Sequence, residues 1–253
     1  MDAVTRLSVV MPAFNEADSI EQLVLDLERD VVALHRNVEV IVVDDCSTDE
    51  TLALLLGLAR ARSWLRVVAA ERNAGHGPSV VRAVDLAGGE WIFQLDSDRQ
   101  FVVSEFSRLW ARRDEADLVL GVRVRRKDPL HRLVLSRTVQ VAVSVLTGRR
   151  LSDANVPFRL FRSDVWADLR PLIPTEALAP SILTAVGAAV RGWRVAEVPV
   201  SHLPRPAGTA SLRRIRLLRF SLRGLVELAA FRLALARAHA RTDEPAVMPF
   251  ENH

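Results

Sequence analysis

The sequence predicts an α/β fold in which a mostly parallel β-sheet is flanked by helices. Four apolar runs typical of buried strands, at residues 7–11, 38–43, 65–70 and 91–95, alternate with segments of helical periodicity. Such alternation requires crossover connections, which are right-handed and bring the carboxyl ends of the strands to one edge of the sheet. Open α/β sheets bind their ligands at this edge.

The composition is that of a globular protein and excludes several classes of function. Of 253 residues, 49% are hydrophobic and 26% are charged, so the chain is long enough to bury a full core. The net charge is only +3, and we expect no nucleic-acid partner. Cys46 is the only cysteine, which excludes an intrachain disulfide and a cysteine-based metal site.

The sequence shows neither a secretory signal nor a membrane-spanning segment. Residues 1–6 lead directly into the first strand, and no uncharged apolar stretch reaches the roughly 18 residues of a bilayer span. We therefore expect a cytoplasmic protein that is either soluble or peripheral on the inner face of the cell membrane.

The first unit is a strand followed by a helix. Pro12 is expected to end the strand, because proline cannot donate a hydrogen bond to a sheet. Asn15 or Ser19 is the predicted cap of a helix in which apolar residues recur at helical spacing up to residue 34.

The next two units repeat this order. The second strand ends in Asp44 and Asp45, after which Ser47 or Thr48 is the predicted helix cap. The third strand leads to a turn at 73–78 that opens another helix.

The fourth strand ends in two carboxylates, Asp96 and Asp98. Their spacing places them on the same side of the chain, so one divalent cation can contact both, and Gln100 continues the spacing with a neutral oxygen. An Asp-x-Asp motif alone is weak evidence, because it is also common in solvated turns. The acidic end of the second strand is predicted at the same sheet edge, which favours a nucleotide at one acidic pair and a metal–diphosphate at the other.

Four segments together resemble family 2 glycosyltransferases with the Rossmann-like GT-A fold. They are residues 12–16, 44–49, 73–77 and 96–100, and they are most similar to dolichol-phosphate mannose synthases and bacterial polyprenyl-phosphate glycosyltransferases. The resemblance covers about residues 5–215. It implies transfer of a sugar from a nucleotide-diphosphate donor, with Mg²⁺ or Mn²⁺ bound by Asp96, Asp98 and Gln100.

The second half of the chain carries further similarities. Residues 152–162 resemble the Asp-x-x-x-x-Phe-Arg-x-Phe-Arg block of those enzymes, and residues 192–200 resemble their last strand. The resemblance implies phosphate contacts for Arg123, at a strand end, and for Arg205, in a Pro/Gly loop.

Two positions depart from the pattern of the family. Ser211 stands where a lysine is usual, so Arg213 is the nearest basic substitute, and Phe14 replaces a common tyrosine. The resemblance implies Asp98, Arg123 and Asp153 as catalytic residues. The implied nucleotide-sugar-binding residues are Pro12, Phe14, Glu16, Val43, Asp44, Asp45, Asn73, Gly75, Asp96, Ser97, Arg123, Arg205 and Arg213.

The chemistry of the acceptor decides whether a general base is needed. A hydroxyl acceptor must lose a proton, and Asp153 is the candidate base, although it is equally suited to orienting the loop 153–158. A phosphate acceptor is largely dianionic at neutral pH and needs no base. The absence of a clear base favours a lipid phosphate. His76 lies in a turn, where a position facing solvent is favoured over contact with the nucleotide.

Residues 212–241 predict a basic amphipathic helix that follows a GT-A domain at 1–211. Within that domain, residues 1–120 are expected to bind the nucleotide sugar and residues 121–211 to form the acceptor side, while 242–253 are expected to be a flexible tail. The helix pattern is typical of an anionic lipid surface, and also of a helix packed on the core or on a second subunit. One sector holds Arg213, Arg216, Arg219, Arg223, Arg237 and Arg241, and the other Ile215, Leu218, Leu222, Leu225, Ala229, Leu233 and Ala236.

We therefore expect an inverting glycosyltransferase that moves a sugar from GDP-mannose or a UDP-sugar to polyprenyl or dolichyl phosphate. One alternative is a family 2 transferase acting on a hydroxyl of a saccharide or natural product. Another is a non-catalytic protein that binds a nucleotide sugar or lipid phosphate, although the complete Asp96, Asp98 and Gln100 set argues against it. The oligomeric state stays open.

Overall fold

The structure is a computed structural model that describes residues 6–124, 140–141, 143–145, 147–148, 151–203 and 214–242. Its strands are β1 (Leu7–Ala13), β2 (Val38–Asp44), β3 (Leu65–Ala69), β4 (Trp91–Gln94), β5 (Leu118–Val124), β6 (Arg159–Arg162) and β7 (Val195–Ser201). Its longer helices are α1 (Ala17–Asp30), α2 (Thr51–Arg60), α3 (His76–Asp85), α4 (Phe106–Trp110), α5 (Ser163–Leu169), α6 (Pro180–Arg191) and α7 (Arg214–Thr242).

The strands form one sheet in the order β3-β2-β1-β4-β6-β5-β7. Pairing is parallel between β1 and β2, β1 and β4, β2 and β3, and β5 and β7, while β6 runs antiparallel to both β4 and β5. The predicted α/β fold with a mostly parallel sheet is therefore confirmed. The reversed β6 brings the loop before it to the same edge as the carboxyl ends of the parallel strands.

The core explains why the central strands are continuously apolar. All seven residues of β1 and all four of β4 are buried, because helices cover both faces of the sheet. Phe93 of β4 packs against Phe106 of α4 and against Phe158, which precedes β6. These contacts fix β4, and with it the residues that follow β4, against the second half of the chain.

The prediction that Pro12 ends the first strand is wrong. Pro12 and Ala13 continue the pairing of β1 with β2, opposite Val43 and Asp44. Pairing of β1 with β4 ends earlier, at Val10. The proline is tolerated because only one neighbouring strand is paired with β1 at this level.

The predicted helix caps are also wrong. Helix α1 begins at Ala17, between the two predicted caps Asn15 and Ser19, and α2 begins at Thr51, later than a cap at Ser47 or Thr48 would place it. Asn15 accepts a hydrogen bond from the Thr48 backbone N–H (2.8 Å) rather than capping α1. The Asp49 carboxylate instead accepts from the backbone N–H of Thr51 (2.9 Å) at the start of α2 and from that of Ala17 (3.2 Å) at the start of α1. One carboxylate therefore stabilises two helix starts beside the sheet edge.

Helix α7 confirms a C-terminal helix but packs with a different face from the predicted apolar sector. Leu228, Phe231 and Leu235 are buried, and α7 packs on α6. Leu222 and Leu233, which belong to the predicted sector, are 63% and 51% exposed. No helix in the described ranges has the length and hydropathy of a bilayer span. Of the predicted tail at 242–253, Thr242 is the last residue of α7, and the residues from 243 onward lie outside the described residues.

Two glycine substitutions should change stability in opposite directions. A Cβ added at Gly77 of α3 would lie 1.9 Å from the Ala177 carbonyl oxygen, so Gly77→Ala should destabilise the fold by about 1–3 kcal/mol. No heavy atom lies within 4 Å of a Cβ added at Gly57, in the exposed middle of α2. Gly57→Ala should therefore stabilise the fold by about 0.5–1 kcal/mol.

Urea denaturation of the two variants checks these signs. Equal stability of Gly77→Ala and the unsubstituted chain would contradict the close approach of α3 to residue 177.

Candidate active site

A cavity of about 390 Å³ lies at the carboxyl ends of β1, β2 and β4. We call it the first cavity. Nine of the predicted nucleotide-sugar-binding, metal-binding and catalytic residues line it, although they come from four separate segments of the chain. They are Pro12, Phe14, Glu16, Asp45, Asn73, Gly75, Asp96, Ser97 and Asp98, and Ala13 and His76 complete the lining.

Asp45 holds the loop between β3 and α3 in place at one end of the first cavity. Its two carboxylate oxygens accept hydrogen bonds from the backbone N–H groups of Ala74 and Gly75, each at 2.8 Å. The Asn73 side chain donates to the Asp45 carbonyl oxygen (3.1 Å). Gly75 has a φ of 97°, which favours glycine because a side chain would be strained there. The acidic end of β2 therefore shapes the cavity wall.

The two predicted residues before Asp45 lie behind this wall. Val43 and Asp44 are both fully buried. Asp44 accepts a hydrogen bond from the Ser47 backbone N–H (3.1 Å), which stabilises the turn after β2. Phe14, by contrast, is 43% exposed at the rim, where its ring is accessible for stacking.

The turn after β4 presents two carboxylates to the first cavity. One oxygen of Asp96, Oδ1, is buried and has no hydrogen-bond partner among the described residues. The Nε2 atom of His76 lies 3.7 Å from that oxygen. Asp98 accepts a hydrogen bond from the Gln100 backbone N–H (3.1 Å), and Ser97 anchors the turn by donating to the Pro12 carbonyl oxygen (2.9 Å).

These residues fit a divalent cation that also binds its substrate. The buried Asp96 oxygen needs a cation or a donor, because an unpaired buried acceptor is costly. Within the part of the chain that the structure describes, no three His, Cys, Asp or Glu side chains form a metal cluster. Mg²⁺ is commonly held by one or two carboxylates and by substrate phosphates, so Asp96 and Asp98 suit this mode of binding.

A smaller cavity of about 190 Å³ adjoins the first and shares His76 and Asp96 with it. We call it the second cavity. Its polar lining residues include Arg123 and His202, and the segment before and at the start of α6 contributes four further residues. The full lining is His76, Asp96, Gln100, Phe101, Arg123, Asn155, Pro157, Leu178, Ala179, Pro180, Ser181 and His202.

Arg123 and Asp153, two of the predicted catalytic residues, form an ion pair at the second cavity. Arg123 Nε lies 2.6 Å from Asp153 Oδ2, and Arg123 Nη2 lies 2.9 Å from Asp153 Oδ1. The two side chains are only 17% and 6% exposed. Both carboxylate oxygens of Asp153 therefore accept hydrogen bonds from the Arg123 guanidinium. Arg123 uses only two of its five N–H groups in this ion pair.

Arg159 is the main residue that sequence reasoning did not assign to the site. It is fully buried and donates to the carbonyl oxygens of Ala154 (2.9 Å), Val156 and Ser181 (2.5 Å). Burial lowers the pKa of Arg159 to about 9, while the carboxylates of Asp153 and Asp96 favour its charged form. The guanidinium is therefore still charged at neutral pH. The sequence signal that could have identified Arg159 is its position within the apolar run that precedes and forms β6.

Two histidines also line the site. His76 is exposed, as predicted, with a side chain that is 58% accessible, and it lies at the edge of both cavities, while His202 lines the second. Gln100, predicted as a metal ligand, lines the second cavity and donates to the Leu203 carbonyl oxygen (3.3 Å). Arg205 and Arg213, predicted to contact phosphate, lie outside the described residues.

Two arginines of β6 provide a test of this buried network. Arg159→Lys should destabilise the fold by about 2–4 kcal/mol, because an ammonium group cannot satisfy three carbonyl oxygens fixed around a guanidinium. Arg162, three residues later, pairs with Asp164 at the surface (2.6 Å). Arg162→Lys should change the free energy of unfolding by less than about 0.5 kcal/mol. Equal losses in chemical denaturation would contradict the role of Arg159.

The comparisons with known proteins agree with this geometry. The model of the family described as Glycosyl transferase family 2 matches residues 8–168. The chain is 28% identical over 217 residues to undecaprenyl-phosphate 4-deoxy-4-formamido-L-arabinose transferase of Klebsiella pneumoniae, covering 85% of this chain and 65% of that protein. The same values of identity and coverage hold over 219 residues for the enzyme of that name from Salmonella choleraesuis. The chain thus spans slightly less than two thirds of the length of these relatives.

Solved structures share the fold. Glucosyl-3-phosphoglycerate synthase from Mycobacterium tuberculosis, in complex with Mn²⁺, UDP-glucose and phosphoglyceric acid, matches with a TM-score of 0.66 and 19% identity, over 90% of this chain and 80% of that one. TarS from S. aureus in complex with UDP-GlcNAc matches with a TM-score of 0.62 and 23% identity, over 94% of this chain and 74% of that one. The family model covers more than half of the chain, and the sheet and its flanking helices match those of GT-A enzymes. The chain therefore belongs to family 2 of the glycosyltransferases and has the GT-A fold.

Proposed function

We propose that this chain is an inverting, metal-dependent glycosyltransferase that moves a sugar from a nucleotide-diphosphate donor to a polyprenyl phosphate. The observation that carries the proposal is the pair of cavities joined at Asp96 and His76. The first cavity has carboxylates suited to a metal–diphosphate, and the second has Arg123, a group suited to a phosphate. A donor and a phosphate acceptor can therefore meet at the shared wall.

The donor occupies the first cavity in this proposal. Its base stacks on Phe14 at the rim, and its ribose lies near the loop that Asp45 holds. Asp96 and Asp98 would hold Mg²⁺ or Mn²⁺ together with the diphosphate of the donor. When bound, the cation supplies positive charge that stabilises the leaving diphosphate. GDP-mannose and UDP-sugars both fit this description of the donor.

The acceptor phosphate occupies the second cavity beside Arg123. One phosphate oxygen attacks the anomeric carbon of the sugar, and the bond from that carbon to the β-phosphate oxygen of the donor breaks. The products are a polyprenyl-phosphate sugar and a nucleoside diphosphate. A single displacement inverts the anomeric centre. No proton has to be removed, because the acceptor is largely dianionic at neutral pH.

The Arg123–Asp153 pair favours a phosphate acceptor over a hydroxyl. Both carboxylate oxygens of Asp153 accept hydrogen bonds from Arg123, so the side chain is poorly placed to take a proton from a hydroxyl. We assign Asp153 the role of holding the guanidinium in the orientation that contacts phosphate. The relatives from Klebsiella and Salmonella, which are named as transferases of undecaprenyl phosphate, support the same class of acceptor.

Asp98→Asn tests the proposed reaction directly. Sugar transfer would be measured from UDP-glucose, UDP-GlcNAc and GDP-mannose, with Mn²⁺ present or chelated and with or without a short-chain polyprenyl phosphate. We expect turnover that requires both the metal and the lipid phosphate. Asp98→Asn should lower it by about 10²–10³-fold, because charge on the leaving diphosphate is then less well stabilised.

The control is Asp114→Asn, whose carboxylate is at the surface and 79% exposed. It should leave turnover unchanged. Near-normal activity of Asp98→Asn would contradict the metal site. Metal-dependent transfer to a saccharide hydroxyl, but not to the lipid phosphate, would contradict the proposed acceptor and assign the base role to Asp153.

A lipid acceptor requires access to a bilayer surface, and we assign this contact to α7. Its buried face packs on α6, but Leu222, Val226 and Leu233 form an apolar stripe on the exposed side and are 63%, 63% and 51% exposed. The exposed Arg223 and Arg237 lie beside the stripe. An apolar stripe next to arginines is suited to an anionic lipid surface, and it would bring the chain to the cytoplasmic face of the membrane.

Charged substitutions in this stripe test the membrane contact without removing the helix. The triple variant Leu222→Glu, Val226→Glu and Leu233→Glu should lower binding to vesicles of phosphatidylglycerol and phosphatidylcholine by about tenfold or more, because it removes apolar contact and adds repulsion. Leu56→Glu on α2, 47% exposed in the folded protein, is the matched control and should bind as before. Equal binding of both variants in vesicle sedimentation would contradict the assignment.

A further inference from the structure

The start of α6 takes its cap from a helix far along the chain. The residue before the helix, Ala179, offers no side-chain cap of its own. Glu227 of α7 supplies a carboxylate instead, and it accepts hydrogen bonds from the backbone N–H of Leu178 (3.0 and 3.2 Å) and from that of Ala179 (3.4 Å). A carboxylate at a helix N-terminus is stabilising, because it satisfies N–H groups that have no partner within the helix.

The capped segment is a wall of the active site. Leu178, Ala179, Pro180 and Ser181 all line the second cavity. Arg159 donates a hydrogen bond to the carbonyl oxygen of Ser181. Residues 178–181 are therefore held at their first two residues by a carboxylate of α7 and at their last residue by a buried guanidinium of β6.

The same segment also contacts the helix that carries His76. The Ala177 carbonyl oxygen lies so close to Gly77 that an added Cβ would be only 1.9 Å away. His76, the preceding residue, lines both cavities. A displacement of residues 177–179 therefore affects the second cavity directly and the first cavity through the start of α3.

Helix α7 presents Glu227 from a fixed position. Leu228, the next residue, is buried, as are Phe231 and Leu235 on the following turns. Val226, the preceding residue, belongs to the exposed apolar stripe. One rigid helix thus carries the apolar stripe on one side and the cap of the cavity wall on another.

We propose that Glu227 is a positioning residue for the acceptor: it couples α7 to the wall of the second cavity, so that the helix shapes the acceptor site. The proposal rests on the proposed function, because it takes the second cavity as the acceptor site. Removal of the carboxylate leaves two backbone N–H groups without their acceptor and lets residues 177–181 move. The acceptor should then bind less well, while the donor side stays largely intact.

Three variants distinguish a positioning role of Glu227 from a contribution to the stability of the fold alone. Glu227→Ala removes the cap, Glu227→Gln retains one oxygen that can accept a hydrogen bond, and Leu235→Ala weakens the packing of α7 without touching the cap. Transfer would be measured with a short-chain, water-soluble polyprenyl phosphate, so that vesicle binding does not contribute. Glu227→Ala should raise the acceptor KM by about tenfold and change the donor KM by less than about twofold.

Glu227→Gln should recover part of this loss, and Leu235→Ala should lower Tm with both KM values unchanged. If Glu227→Ala lowers Tm and leaves the acceptor KM unchanged, as Leu235→Ala does, the proposal is overturned and Glu227 is only a structural cap. An equal rise of donor and acceptor KM would also overturn it, because the effect would not be confined to the acceptor.

Hydrogen exchange, measured without any substrate, tests the coupling between Glu227 and the cavity wall independently of the proposed function. Peptides that cover residues 176–183 and 74–80 should exchange faster in Glu227→Ala than in Leu235→Ala. Unchanged exchange in both peptides would overturn the coupling. If the unsubstituted chain fails to use polyprenyl phosphate, the proposed function fails, whereas the exchange experiment still decides whether Glu227 holds the cavity wall.

Discussion

Parallel pairing of β1 with β2 and β4 is the constraint on which the site depends. Because these strands run in one direction, the peptide segments that leave their carboxyl ends emerge at the same edge of the sheet. Four short segments of the chain then line the first cavity. Asp45 holds the loop before α3, and Ser97 ties the turn after β4 to the end of β1. Each carboxylate of the site is therefore placed by a strand that the core holds rigidly.

The reversed strand β6 adds the second cavity. A strand that runs against its neighbours brings its preceding loop, rather than its following one, to the ligand edge. Arg159 holds that loop through backbone carbonyl oxygens, and Asp153 at its start pairs with Arg123 at the end of β5. A buried charge is costly unless its hydrogen bonds are satisfied, so this arrangement tolerates little variation in backbone position. The rigidity of the loop is what orients Arg123 toward the cavity.

Helix α7 has two apolar faces, one buried against α6 and one exposed. The residues that pack on α6 occupy one face, and the exposed apolar stripe occupies another, so the helix has more apolar surface than its packing on the core requires. Glu227 lies between these faces and reaches the backbone of a different helix. In the proposed function, contact with a lipid surface and the shape of the second cavity therefore depend on the same rigid helix.

The sequence by itself determined the strand–helix alternation, the parallel sheet edge and the loops that carry Asp45, Asp96 and Asp98, because buried parallel strands are continuously apolar and end in polar turns. Its resemblance to known enzymes marked Arg123 and Asp153 but not their ion pair, which joins residues 30 positions apart. Only the tertiary structure decided which face of α7 is buried. The helix has two apolar faces, and only one of them packs on α6. Only the tertiary structure, likewise, decided the roles of Arg159 and Glu227. Their partners are backbone groups of distant segments, and no side-chain pattern encodes such contacts.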